Sequence, residues 1–156
     1  MENNKRNPKD FTANCCHIVM PADANHFGNL SGGQLMHWVD ICGAMAAMRY
    51  SGQNVVTACI DDVSFNKPIK VGQIAKLEAI VTWCGKSSME IRVDVGIRDF
   101  HTNEIVATNS AYLVFVAVDE NMKPVPVPEM LINSENKADF DAGAERQAQR
   151  KLNRKK

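Results

Sequence analysis

Between residues 34 and 50 the chain is apolar nearly all the way round a helix. Leu35, Met36, Trp38, Val39, Ile41, Cys42, Met45 and Met48 fill it, with alanines between, and only Gln34, His37, Asp40 and Arg49 are clearly polar. A helix without a polar face has no solvent side to present and has to be covered on most of its surface. The chain that follows changes period. Residues 55–63 are rich in β-branched side chains, and residues 74–83 form the next apolar run beyond the breakers Pro68 and Gly72. Met89, Ile91, Val93, Val95 and Ile97 then alternate with Glu90, Arg92, Asp94 and Arg98, the pattern of a strand with one face in a core and one in solvent. After a turn at 99–103, residues 104–118 read as a long last strand, whose length demands a curved sheet. The run Pro124-Val125-Pro126-Val127-Pro128 cannot continue a ladder. Upstream, residues 16–20 read as a short strand stopped by Pro21, and residues 21–33, dense in Asn, Asp and Gly, as a loop. One covered helix and an antiparallel meander predict an α+β layout in which a sheet curls around the helix. A single such layer leaves an outer sheet face and edge strands bare, and association between subunits is the usual remedy.

The bulk properties narrow the classes of function. At 156 residues the chain fits one domain. We divide it into a flexible N-terminal segment (1–13), a folded domain (14–132) and a polar, basic, helical C-terminal tail (133–156). Eighteen basic and eighteen acidic side chains cancel, which argues against a nucleic-acid binder. The five cysteines have no CxxC or Cys/His spacing of a zinc site and read as reduced thiols of a cytoplasmic protein. The first residues carry no apolar stretch of a signal peptide, and no run approaches the ~20 residues of a membrane span. Residues 146–156 hold six basic and no acidic side chains: a solvated helix, an anion-attracting tail or an oligomer contact.

Asp40 is the anomaly on the apolar helix. An ionised carboxylate there costs several kcal/mol unless paired or solvated. Either it pairs with something at a subunit interface, or it is a desolvated base facing a pocket. His37, three residues earlier on the same face, could join it as a catalytic pair or metal site, but no third ligand has suitable spacing, so no metal is expected. The loop before the helix is the second signal. Gly28, Gly32 and Gly33 allow close approach of backbone to a ligand, and they lead into a helix N-terminus whose free N–H groups favour a developing oxyanion. Asn25 supplies an amide that can hold a carbonyl or orient water. Ordinary turns use the same residues. A third element, Lys86, Ser87 and Ser88 between two strands, could hold phosphate or merely form a hairpin. No nucleophile elbow, P-loop or dinucleotide fingerprint is present.

Four stretches, in this order and spacing, resemble the hotdog-fold acyl-CoA thioesterase family: MPADANHFGNLSGGQLMHWVD (20–40), VVTACIDDVSF (55–65), GKSSMEI (85–91) and PVPVPEM (124–130). The resemblance covers residues 16–130. It implies a long helix wrapped by a curved antiparallel sheet, with two protomers joining into a double hotdog and dimers assembling into hexamers as a trimer of dimers. It implies hydrolysis of acyl-CoA to a free acid and CoA, in fatty acid metabolism, with coenzyme A as part of the substrate and no cofactor, nucleic acid or membrane partner. Asn25 matches the family's catalytic asparagine and Asp40 its helix aspartate, which acts as general base or nucleophile; the two come from opposite subunits. Gly32 and Gly33 match the oxyanion donors, and Lys86, Ser87 and Ser88 lie in the stretch near the CoA phosphates. Many relatives carry His directly before the glycine pair, where this chain has Ser31. Two rivals remain: an acyl-CoA sensor without turnover, which would normally carry an output module, and a hotdog hydratase or dehydratase, which would need His26 or His37 in a catalytic role.

Overall fold

A computed structural model describes residues 4–61, 63–64 and 66–156. Helix α1 runs Gly32–Ser51 and begins two residues before the expected start. The reason is local: Ser31 is an extended N-cap whose Oγ accepts the Gln34 N–H at 3.2 Å, so the helix already includes both glycines. It stops where Gly52 turns left-handed (φ 70°) and its N–H caps the Met48 carbonyl.

Five strands wrap this helix. In chain order they are β2 (Ala13–Ile18), β3 (Asn54–Ile60), β4 (Ile74–Cys84), β5 (Ser88–Arg98) and β6 (Ile105–Val118). They pair in the order β2-β4-β5-β6-β3, antiparallel throughout, so β2 and β3 are the edges. The core lies between helix and sheet: Leu35, Val39, Cys42 and Ala46 from α1 are buried with Leu77, Ile91, Val93 and Phe115 from the strands. Gly43 brings them close, since a Cβ there would stand 3.1 Å from the Phe115 ring. The α+β architecture, a helix within a curled antiparallel sheet, is the one expected. The helix is not covered all round, however. Met36, Ile41, Met45 and Met48 stay substantially exposed along one side.

Three expectations need correction. The first strand starts at Ala13 rather than at residue 16, because its ladder with β4 runs from Ala13 opposite Ala79 to Ile18 opposite Ile74. The N-terminal residues that follow position 3 are not a loose segment. A short strand β1 (Lys5–Arg6) pairs in parallel with β7 (Glu129–Met130), and a 3-10 turn follows at Pro8–Phe11. Arg6 donates to the Tyr50 carbonyl, the Phe11 ring meets Tyr50 edge-on at 5.7 Å, and Arg49 donates to the Thr12 carbonyl. One buried ring and a few charged hydrogen bonds anchor a polar segment that has no periodicity to read.

The third correction concerns Glu90. Alternation placed it on a solvent face, yet it is fully buried. The cover is helix α2 (Lys137–Arg154), the helical tail, which lies on the sheet instead of standing free in solvent. Arg146 reaches Glu90 through Nε and Nη2 at 3.0 and 2.8 Å, and Arg150 reaches it through Nη2 at 2.7 Å. Two of the six tail cations are therefore spent inside the protein. Gly143 sets the approach: a Cβ there would lie 2.7 Å from Trp83 Cβ and 3.1 Å from Glu90 Oε1. Because Trp83 Cβ is tied to its own strand, Gly143→Ala should push α2 outward and destabilise the fold by about 1–3 kcal/mol. Denaturant melts of wild type and variant measure this; an unchanged midpoint would mean the helix does not dock so closely.

No helix among the described residues is long and apolar enough to cross a membrane.

Candidate active site

The loop before α1 is built around Asn25. Its Oδ1 accepts the N–H groups of Phe27 (3.0 Å) and Asn29 (3.3 Å), and its own N–H donates to the Asn29 carbonyl at 2.8 Å. Gly28, at φ +79°, makes the tight turn possible. With the amide oxygen turned inward to the loop, Nδ2 is the polar atom left without a hydrogen bond among the described residues. The group that Asn25 has to offer is therefore an N–H donor, which can hold a carbonyl oxygen or orient a water.

The start of α1 presents more donors beside it. Ser31 takes the Gln34 N–H on its hydroxyl and the Leu35 N–H on its carbonyl. The N–H groups of Gly32 and Gly33 have no acceptor among the described residues, as expected of the first turn of a helix. A Cβ on Gly33 would meet nothing within 4 Å, so the space beside it is open to a ligand or another chain. Asn25, Asn29, Gly32 and Leu35 line one cavity of about 270 Å³ together with Lys67, Pro68 and Ile69. Its polar donors share a positive helix terminus, which suits an oxygen gaining negative charge.

Asp40 is half-buried in α1. Its Oδ1 accepts a 2.7 Å hydrogen bond from Thr57 Oγ1 on β3, and Oδ2 makes none among the described residues. Thr57 escaped the sequence reading. It sits in a β-branched run where a threonine needs no explanation, and its partner is seventeen positions away. His37, by contrast, is exposed and makes no hydrogen bond to Asp40 among the described residues, so the pairing entertained from their spacing does not form.

Within one protomer these parts do not all converge. Asp40 lies about 12 Å along the helix axis from Gly32 at 1.5 Å per residue, too far for both to touch one reacting carbonyl. It does not line the Asn25 cavity. Lys86, Ser87 and Ser88 form the β4–β5 hairpin, away from that cavity. There the Lys86 carbonyl accepts the Val127 N–H at 2.9 Å, which seats the proline-rich segment, and the Ser87 carbonyl accepts the N–H of Ala117 in β6 at 2.9 Å. Gly85 lets the Trp83 ring lie close over this turn, since a Cβ there would stand 2.7 Å from the ring and the ring would have to shift.

Comparison with known proteins places this geometry. The family model described as the thioesterase superfamily matches residues 27–99, from the Asn25 loop through β5. An uncharacterized acyl-CoA thioester hydrolase of Bacillus subtilis, YkhA, is 38% identical over 138 residues, 88% of this chain and 80% of that protein. The structure is similar to the acyl-CoA hydrolase of Staphylococcus aureus solved in complex with butyryl coenzyme A and coenzyme A: TM-score 0.89, 36% identity, with 96% of this chain and 92% of the other covered. It is similar to the same extent to an apo hexameric acyl-CoA thioesterase, with a TM-score of 0.89 at 34% identity and 96% of each chain covered. A helix aspartate held by a strand threonine, an asparagine loop at the helix N-terminus, and these likenesses over nearly the whole chain agree: the chain belongs to the hotdog-fold acyl-CoA thioester hydrolases of the thioesterase superfamily.

Proposed function

We propose that this protein hydrolyses the thioester of acyl-CoA to a carboxylic acid and CoA. The observation that carries the reading is the state of Asp40: one carboxylate oxygen is held by Thr57, and the other, which has no hydrogen-bond partner among the described residues, can take a proton. In this scheme water attacks the thioester carbonyl and gives its proton to Asp40 Oδ2. The carbonyl oxygen becomes an oxyanion held by the N–H groups of Gly32 and Gly33 and by Asn25 Nδ2. Collapse of that intermediate breaks the C–S bond, and the CoA thiolate leaves with the proton that Asp40 held. No metal or redox group enters these steps. Lys86, Ser87 and Ser88 bind the CoA phosphates.

The site is completed by a second subunit, with Asp40 of one protomer opposite Asn25 of its partner. Two features support this. Asp40 is too far along α1 to reach the cavity of its own chain. In addition, the stripe of Met36, Ile41, Met45 and Met48 beside it lies bare next to the unpaired edge of β3, and bare apolar patches and strand edges of this kind mark association surfaces. The dimers assemble further as a trimer of dimers, as the hexameric state of a similar thioesterase suggests.

Thiol release measured across a panel of acyl-CoA chain lengths tests the activity; binding of every member without release would turn the reading into a sensor. The shared site has its own test. Asn25→Ala and Asp40→Ala, each inactive, are mixed, dissociated and reassociated. If the pair comes from opposite subunits, a mixed dimer holds one intact site and one doubly damaged site, so roughly a quarter of wild-type activity returns. If both residues come from one subunit, every site keeps one defect and the mixture stays dead.

A further inference from the structure

Helix α2 does more than cover the outer sheet face. Its two inward arginines draw together residues from three neighbouring strands or strand ends. Arg150, 8% exposed, donates through Nε to Asp61 Oδ2 at 2.6 Å and through Nη2 to Glu90 Oε2 at 2.7 Å. Asp61 is the first residue after β3, whereas Glu90 belongs to β5. The strand between them, β6, passes beneath: the Arg146 guanidinium lies 3.9 Å over the ring of Tyr112, whose carbonyl accepts the Asp61 N–H at 2.8 Å. Arg150 is thus a strap from the middle of the sheet to the end of an edge strand.

Within a protomer, among the described residues, β3 is paired by β6 alone. Its ladder slips between Thr57, opposite Phe115, and Cys59, opposite Val114, so Ala58 is the extra residue of a bulge. A bulge bends a strand and re-aims the side chains next to it. Here the neighbouring side chain is Thr57, whose hydroxyl holds Asp40. The direction of Thr57 therefore depends on where the chain is pinned beyond the bulge, and that pin is Asp61.

We infer that Arg150 is a positioning residue for the reaction: through Asp61 it fixes the end of β3 beyond the bulge, and so keeps Thr57 aimed at Asp40. This rests on the assignment of Asp40 as the base. Misplacement of a catalytic group by about 1 Å is enough to lower turnover by up to ~10²-fold without weakening ground-state binding.

The test compares wild type, Asp61→Ala, Arg150→Gln, Arg150→Lys and Asp40→Asn in kcat, KM, melting temperature and amide hydrogen exchange of residues 55–60. Asp61→Ala is the informative variant: it removes the acceptor of the Arg150 Nε–H, while Glu90 keeps both arginines and α2 stays docked. It should lower kcat about tenfold with KM changed less than about twofold, and speed exchange beyond the bulge. Arg150→Lys, which can still pair with Asp61, should recover part of the loss that Arg150→Gln shows. Wild-type kcat in folded Asp61→Ala overturns the inference, as does a loss of melting temperature with kcat unchanged. Absence of thiol release by wild type itself, or full turnover by Asp40→Asn, overturns the hydrolase reading and the inference built on it. An active wild type with an unaffected Asp61→Ala overturns the strap alone.

Discussion

Asp40→Asn is expected to lower kcat about 10²- to 10⁴-fold, the contribution of a well-placed general base, while the protein stays folded. The substitution keeps shape and volume. The amide oxygen can still accept the Thr57 hydroxyl that now bonds Oδ1 at 2.7 Å, so neither helix nor strand loses its partner. What disappears is the ability of the second atom to accept a proton from water. KM should move little, because the proposed role of Asp40 is to take the proton of the attacking water, not to hold the substrate. Circular dichroism and sedimentation of the variant establish that fold and assembly persist; thiol-release kinetics read the loss. Turnover within a few fold of wild type in that folded variant would remove Asp40 from the chemistry.

Glu90→Ala should produce the largest loss of stability, about 3–5 kcal/mol, the usual range when one partner of a buried ion pair is deleted. Glu90 is fully buried and accepts from Arg146, Arg150 and Thr82, the last at 2.7 Å. Its removal leaves two guanidiniums side by side with, among the described residues, Asp61 as their one remaining ion-pair partner. Arg146 is partly exposed and can swing to solvent, which favours the lower end of the range. Glu90→Gln, which retains acceptors, should lose less. The same cluster makes stability depend on pH. Burial pushes the Glu90 carboxyl upward, but hydrogen bonds from Arg146, Thr82 and Arg150 outweigh it and hold the group below its ordinary value of 4.5. Asp61 is lowered as well: Arg150 and Cys59 offset its own desolvation. A carboxyl lowered in the folded state contributes stability that is fully present above its unfolded value and disappears as pH falls through the folded one. The stability gap between wild type and Glu90→Gln should therefore be constant from neutral pH down to about 5.5 and narrow below about 4.5. Thermal melts of the two proteins across that range decide it, and a gap independent of pH would show that the carboxylate charge is not what holds α2.

Much of the architecture was legible in the residues. An apolar helix followed by period-two strands left few arrangements besides a sheet curled around it, because periodicity reports which face each residue turns to the core, and that is a local property. Asp40 stood out for the same reason: a charge in an apolar run is visible without coordinates. The glycines before the helix and the turn at 85–88 were likewise readable, since turn chemistry depends on neighbours in sequence. What only the tertiary structure decided involves contacts across long separations. Thr57 is an ordinary strand residue until the curl of the sheet sets it against Asp40. Glu90 fits the pattern of an outward-facing residue, and the pattern is correct about direction; it turns outward into a helix some fifty residues downstream rather than into water. The basic tail looked solvated because its charge was counted without the carboxylates that receive it. Periodicity records which face a side chain occupies, while its environment is set by whatever the rest of the chain brings to that face, and that depends on the pairing of charges and the closing of loops that no local pattern encodes.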